Sequence, residues 1–252
     1  MSVLSCENLG IDFGGLTAVN NFNFEINNNE IVGLIGPNGA GKTTVFNLLT
    51  KVYEPTRGNI YLEGKSTSKM TTVDINKAGI ARTFQNIRLF NNISVLDNVK
   101  VAMNNLYEYS LFDSLFRTSK FKNAEKAIGK NALDLLKIFN LDEFKELNAS
   151  SLPYGAQRRL EIARALATNP KVLLLDEPAA GMNPQETDEL MKTIRFVRDK
   201  FNISILLIEH DMSLVMNICE RIYVLNYGVL LAEGSPEEIK NNPDVIKAYL
   251  GD

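Results

Sequence analysis

The chain has 252 residues, 45% of them apolar and 23% charged, with a net charge of −3. That length suits one large α/β domain or a domain with an inserted lobe, and the absence of long polar or Pro/Gly-rich tracts excludes extensive disorder. The slightly acidic balance argues against a broadly basic face, so no nucleic-acid partner is expected. No apolar run approaches the roughly 20 residues that a bilayer crossing needs. The longest, residues 172–175 and 203–208, are strand-sized and end at Asp176 and Glu209. The first residues show no basic segment followed by an apolar stretch, so no secretory signal is expected. Cys6 and Cys219 are too few for a disulfide framework, and Cys6 reads as a buried small hydrophobe. The chain reads as cytosolic, with any membrane contact made through partner proteins.

The first thirty residues read as β-structure, with Phe22, Phe24 and Ile26 alternating with polar residues. Asn27-Asn28-Asn29 is a turn, and residues 31–35 form a short apolar strand running into a glycine-rich loop. A helix is expected over 43–51. Pro55-Thr56-Arg57-Gly58 marks a turn before a strand with Ile60 and Leu62 on one face. From Ser94 to about Thr168 the pattern is helical: Ser94 and Asp97 have capping-box spacing, and Ile128, Ala132, Leu135 and Phe139 recur at helical intervals. Strand–helix alternation then returns. Residues 172–175 and 204–209 read as buried strands, with a helix between them that opens at Pro184 and carries Leu190, Ile194, Val197 and Phe201. Residues 221–226 and 229–233 flank Tyr227-Gly228, a hairpin signal, and Ser235-Pro236-Glu237-Glu238 caps a terminal helix.

The segment Gly36-Pro37-Asn38-Gly39-Ala40-Gly41-Lys42-Thr43 fits the pattern G-x-x-x-x-G-K-[ST]. Glycines let successive backbone N–H groups turn toward phosphate oxygens, and the following helix adds its positive N-terminus. Lys42 is expected on the β- and γ-phosphates and the Thr43 hydroxyl on Mg²⁺. A glycine-rich turn that binds nothing is the bland alternative; the strand before the loop and the helix after it argue against that.

Downstream, Lys171-Val172-Leu173-Leu174-Leu175-Asp176-Glu177 is an apolar strand ending in two carboxylates. Alone it would be a common solvated strand end. Behind a phosphate loop, Asp176 is expected to hold Mg²⁺ and Glu177 to polarise the attacking water. His210, the only histidine, ends a second buried strand, where open α/β sheets bind ligands. It is a candidate donor to the γ-phosphate.

These residues resemble the ATPase subunits of ABC transporters, over nearly the whole chain. Leu152-Pro153-Tyr154-Gly155-Ala156-Gln157 followed by Arg158-Arg159-Leu160-Glu161 is similar to that family's signature segment. The resemblance implies that Gly155 and Gln157, with residues 36–44 including Thr44, bind ATP. It implies that Gln85 is the lid glutamine that touches the metal and the attacking water, and that Phe13 stacks on adenine, although a core phenylalanine is the rival reading. Within the family, Phe13-Gly14-Gly15-Leu16-Thr17-Ala18-Val19, Ile80-Ala81-Arg82-Thr83-Phe84-Gln85 and Asn242-Pro243-Asp244-Val245 resemble the ATPases of branched-chain amino acid importers. The implied fold is a P-loop NTPase (RecA-like) α/β core with an N-terminal antiparallel β subdomain and an inserted helical subdomain. Residues 1–87 and 166–235 would form the core, 88–165 the helical subdomain and 236–252 a C-terminal helical segment. The implied cofactors are ATP and Mg²⁺. The implied partners are a second, homologous ATPase subunit in a hetero-pair, two transmembrane permease subunits and, indirectly, an external solute-binding protein. The implied place is the cytoplasmic face of the cell membrane. Pro153 and Tyr154 depart from the Ser and Gly usual in the signature, Ala156 from the usual Gln or Glu, and Asn183 from an aspartate in the loop after the acid pair. A small GTPase would need Asn-Lys-x-Asp, and Asn76-Lys77-Ala78-Gly79 lacks the aspartate. A soluble ABC protein of repair or translation would carry a coiled-coil insertion or a second ATPase domain. A binding module that does not hydrolyse would lack Glu177 or Lys42.

Overall fold

The computed structural model describes residues 2–107 and 109–250. The chain runs β1 (Ser2–Phe13), β2 (Leu16–Asn27), β3 (Ile31–Ile35), α1 (Lys42–Leu49), β4 (Arg57–Leu62), β5 (Lys65–Ser66), α2 (Thr72–Ala78) and β6 (Ile80–Arg82). It continues through α3 (Val95–Met103), α4 (Leu111–Leu115), α5 (Ser119–Ile138), α6 (Tyr154–Leu166), β7 (Val172–Asp176), α7 (Pro184–Phe201) and β8 (Ser204–Ile208). It closes with α8 (Met212–Ile218), β9 (Arg221–Asn226), β10 (Val229–Gly234), α9 (Pro236–Lys240) and α10 (Pro243–Leu250). Two compact units emerge: residues 1–85 with 171–252, and residues 86–170.

The first unit contains two sheets. A four-stranded antiparallel sheet has the order β2-β1-β4-β5, and a six-stranded sheet has the order β10-β9-β3-β8-β7-β6. In the larger sheet β3 pairs in parallel with both β8 and β9, and β7 pairs in parallel with β8 and β6. The strands β3, β7 and β8 are buried at every position. They therefore read as continuous apolar runs, as strands covered on both faces must. In β2 the alternation is real: Phe22, Phe24 and Ile26 are buried and their neighbours are not. The rings of Phe22 and Phe24 stack at 6.0 Å, and Tyr223 of β9 meets Phe24 edge-on at 5.2 Å, so aromatic packing joins the two sheets. Cys6 and Cys219 are both buried in this unit.

Several element bounds differ from the expected ones for local reasons. α1 ends at Leu49 because Thr50 Oγ1 turns back onto the carbonyl of Phe46 and Lys51 takes a left-handed φ of 56°. The short β6 and α2 leave no mark in the apolar pattern; α2 stands on a full capping box between Thr71 and Asp74. The terminal helix is two helices. The Asn242 side chain accepts from the N–H groups of Asp244 and Val245 at 2.9 and 3.2 Å, which starts a new helix at Pro243.

The second unit packs α3 and α6 against α5, whose buried stripe is Ile128, Ala132, Leu135 and Leu136. A fully buried amide organises its entry segment. Asn98 accepts from Phe90 N–H at 2.9 Å and donates to the carbonyls of Phe90 and Ser94 at 3.1 and 3.0 Å. Removing that amide takes the partner from Phe90 N–H and one donor each from the carbonyls of Phe90 and Ser94, which keep the N–H groups of Ile93 and Asn98. An unsatisfied buried group costs about 1–3 kcal/mol, so Asn98→Ala is expected to destabilise the helical unit by about 1–3 kcal/mol in urea unfolding followed by circular dichroism. A loss below about 1 kcal/mol would show that the amide does not hold this segment.

Candidate nucleotide site

The larger sheet's order brings three strand ends to one edge. β3 ends at Ile35 and leads into the glycine-rich loop; β7 ends at Asp176, whose register partner is Ile208 at the end of β8. Residues leaving these ends, Gly36, Glu177 and His210, therefore rise from neighbouring strands. A cleft of about 440 Å³ opens there. It is lined by residues 38–44, by Leu16, Thr17 and Ala18 of β2, by Tyr227, and by Glu177 and His210.

The loop is shaped by close backbone approach. A Cβ on Gly36, at φ 149°, would lie 2.0 Å from the carbonyl oxygen of Leu225, so no side chain fits. The β9–β10 turn is tied to the loop: Gly228 N–H donates to Ala40 O at 2.9 Å, and its own carbonyl accepts from Asn20 N–H at 2.8 Å. α1 begins at Lys42 behind a left-handed Gly41 with no side-chain cap, so its first N–H groups face the cleft's loop without a protein side chain to receive them. Lys42 is buried, with Nζ donating to the carbonyls of Gly36 and Pro37 at 2.7 and 3.0 Å. Burial pulls its ammonium below the ordinary lysine range, while the charges of Glu177 and Asp176 pull the other way. Phosphate oxygens suit this cradle: uncapped helix N–H groups, glycines in left-handed conformations and one desolvated cation.

Opposite the loop, Glu177 is gripped from two sides. Gln85 Nε2 donates to Glu177 Oε2 at 2.7 Å, and His210 Nε2 lies 2.9 Å from Oε1. Its backbone has a left-handed φ of 47° and donates to Ile208 O at 2.9 Å, which aims the side chain away from the strand line. The buried carboxylate of Glu209 shapes the loops beneath. It accepts from the N–H groups of Ala179 and His210 at 2.7 and 3.0 Å, and burial pushes its pKa above the usual carboxylate range. Asp176 is buried beside them, with Oδ2 bound to Arg82 Nη2 at 2.6 Å. Arg82 also donates to Asn47 of α1 at 2.7 Å and lies over the rings of Phe46 and Phe84.

The structure thus brings Lys42, Thr43, Thr44, Gln85, Asp176, Glu177 and His210 into one unit, around or beneath one edge of its sheet. Thr43 is exposed at the first turn of α1. Phe13 is at the end of β1, exposed and edge-on to Tyr53 at 5.2 Å, and is not among the cleft-lining residues; its register partner Leu16 is. Gly155 and Gln157 belong to the other unit. Gly155 lies in the first turn of α6 behind Pro153, which provides no side-chain cap, and Gln157 Nε2 donates to Leu152 O at 2.8 Å. The Tyr154 ring lies against Arg158, whose guanidinium is paired with Glu161 at 3.0 Å. Three participants are not marked by the sequence. Tyr227 reads there only as a hairpin turn, Leu16 only as part of a motif string, and Arg82 only as a neighbour of Gln85; each owes its place to sheet pairing.

Comparison with known proteins agrees with this geometry. The profile of the ABC transporter family matches residues 19–180, and that of the branched-chain amino acid ATP-binding cassette transporter matches residues 229–252. The chain is 51% identical to the high-affinity branched-chain amino acid transport ATP-binding protein LivG of Escherichia coli K12, over 99% of this chain and 98% of the relative. It is 48% identical to BraF of Pseudomonas aeruginosa over the same shares. A nucleotide-free ATP-binding cassette from an ABC transporter superposes with a TM-score of 0.86 at 31% identity, covering all of both chains. The chain belongs to the ATP-binding subunits of ABC transporters. It is an ATPase, and as such a subunit it works with permease subunits. Among the described residues, no helix is long and apolar enough to cross a membrane.

Gly36 provides a direct test of the loop. Gly36→Ala is expected to cost at least about 2 kcal/mol in thermal unfolding and to weaken ATP binding at least tenfold by calorimetry, because both the φ and the Leu225 carbonyl forbid the new methyl. Wild-type affinity in this variant would mean the loop is not held as described.

Proposed function

We propose that this chain binds and hydrolyses Mg-ATP to power an importer of branched-chain amino acids. The observation that carries the chemical half is the grip of Gln85 and His210 on Glu177 across the cleft from Lys42. The loop N–H groups and Lys42 bind the β- and γ-phosphates. Glu177 takes the proton of the attacking water, an effect typically worth about 10²–10⁴-fold. His210 and Gln85 orient that carboxylate, and His210 is also within the cleft to donate to the γ-phosphate. Thr43, Asp176 and Gln85 would hold Mg²⁺, which would supply charge neutralisation at the phosphates. A hydroxyl, one carboxylate and one amide oxygen are the sparse oxygen set of an ion that shares its ligands with substrate phosphates. Phe13, with Tyr53 behind it, offers an exposed ring for adenine.

Gly155, Gln157 and the N-terminus of α6 are proposed to act on the nucleotide of a second ATPase subunit, so that each site needs two chains. The partner is proposed to be a homologous but different subunit; the pair sits at the cytoplasmic face of the membrane against two permease subunits, with a solute-binding protein on the external side. Glu177→Gln removes the base and keeps the shape. Hydrolysis is expected to fall by about 10²–10⁴-fold, and light scattering of this variant mixed with its partner should show an ATP-dependent pair. A mixture that stays monomeric with nucleotide bound would refute the shared site.

The solute assignment is supported by the identity to LivG and BraF and by the carboxy-terminal match over residues 229–252. Cells lacking this chain are expected to lose most of their high-affinity uptake of labelled leucine, isoleucine and valine, restored by the wild type and not by Glu177→Gln. Undiminished uptake of all three would assign the transporter to another solute.

A further inference from the structure

The helical unit carries an apolar patch that its own packing leaves uncovered. In α4 and its capping residue, Leu111, Phe112, Leu115 and Phe116 are 91%, 65%, 78% and 63% exposed. With 3.6 residues per turn, these four side chains fall within an arc of roughly 140°. The rings of Phe112 and Phe116 lie 4.4 Å apart, so the patch is continuous.

The one carboxylate of this short helix is directed into the turn. Asp113 accepts from Ser110 N–H and Oγ at 3.0 and 2.7 Å and from Thr118 Oγ1 at 2.8 Å. These bonds hold its pKa down to about 2 and lock the turn into one shape. The segment carboxy-terminal to the turn is cationic. Arg117, Lys120, Lys122, Lys126 and Lys130 are all exposed. The ion pairs Lys100–Asp97, Lys137–Asp134 and Arg158–Glu161 of this unit use none of the five. Residues 109–130 carry these five cations against two acids, Asp113 and Glu125, in a chain whose net charge is −3.

Two kinds of surface accept exposed leucines and phenylalanines. The core of a protein interface is depleted in lysine. The boundary of an anionic bilayer favours this combination: aliphatic and aromatic side chains enter the acyl edge, while Lys and Arg stems reach the lipid phosphates. We propose that the α4 turn is an interfacial membrane anchor, with Leu111, Phe112, Leu115 and Phe116 in the lipid boundary and Arg117, Lys120 and Lys122 on the headgroups of anionic lipids. The anchor lies in the interface and does not span it. The inference draws on membership of a membrane-transporter family and is independent of the solute.

The chain has no tryptophan, so Leu111→Trp places a single indole in the patch. In the full-length protein its emission is expected to shift to the blue on adding phosphatidylcholine vesicles that contain phosphatidylglycerol, and to be quenched by lipids brominated in the acyl chain. Pure phosphatidylcholine should give a weaker response, and added salt should reduce it. In co-sedimentation, Leu111→Ser with Leu115→Ser is expected to bind anionic vesicles at least about tenfold more weakly than wild type. Lys120→Gln with Lys122→Gln should lose the preference for anionic lipid. Calorimetry of ATP binding, unchanged in both double variants, excludes misfolding as the cause. Wild-type protein that fails to sediment with anionic vesicles, or leucine variants that bind as well as wild type, would overturn the anchor. So would loss of permease binding in detergent by the leucine variant when wild type shows no vesicle binding, which would assign the patch to a protein partner.

Discussion

Parallel, in-register pairing of β3, β8 and β7 is the constraint on which the site depends. Leu34 lies beside Ile208, and Ile208 beside Asp176. Each strand ends near the same level, so the residues just beyond emerge at one edge of the sheet. Between β7 and β8 this is achieved by α7, which carries the chain back to the starting end of the sheet. The Glu177 carboxylate, its neighbour His210 and the glycine-rich turn thus come from three separate parts of the chain. Burial of all three strands on both faces makes the arrangement rigid.

Electrostatics at that edge are built in layers. Buried Arg82 and Asp176 pair beneath the cleft, and Glu209 receives backbone N–H groups from both adjoining loops. Above them, Glu177 is polarised between an amide and an imidazole. Lys42 donates two of its three ammonium hydrogens to carbonyls, which leave its charge uncompensated by close contact with a carboxylate among the described residues. A buried cation in that condition favours an anionic ligand. Arg82 links the layers, because the same guanidinium reaches α1 through Asn47 and β7 through Asp176.

The helical unit distributes its polar groups differently. Asn98 and the Arg158–Glu161 pair are buried and fix the unit's own shape. Its α4 turn does the opposite, stabilising itself through Ser110, Asp113 and Thr118 while presenting its apolar side chains outward.

Short-range features were legible from the amino-acid sequence because their physics is local. The glycines and Lys42 of the phosphate loop, the apolar runs of β3, β7 and β8, the period-2 pattern of β2 and the Tyr227-Gly228 turn all declare themselves within a few residues. Membership of the ABC transporter ATPases was legible for the same reason, since each of its motifs is a contiguous string. The grip of Gln85 and His210 on Glu177 spans 92 and 33 residues of chain, and the Arg82–Asp176 pair spans 94. Whether such groups meet depends on strand order, which no local pattern encodes. The same holds for Leu16, which lines the cleft as the register partner of Phe13 at the tip of the β1–β2 hairpin. By itself, then, the sequence determined which chemistry is present and which elements carry it; the tertiary structure decided which atoms touch, because contact follows from sheet register and burial that only the assembled chain possesses.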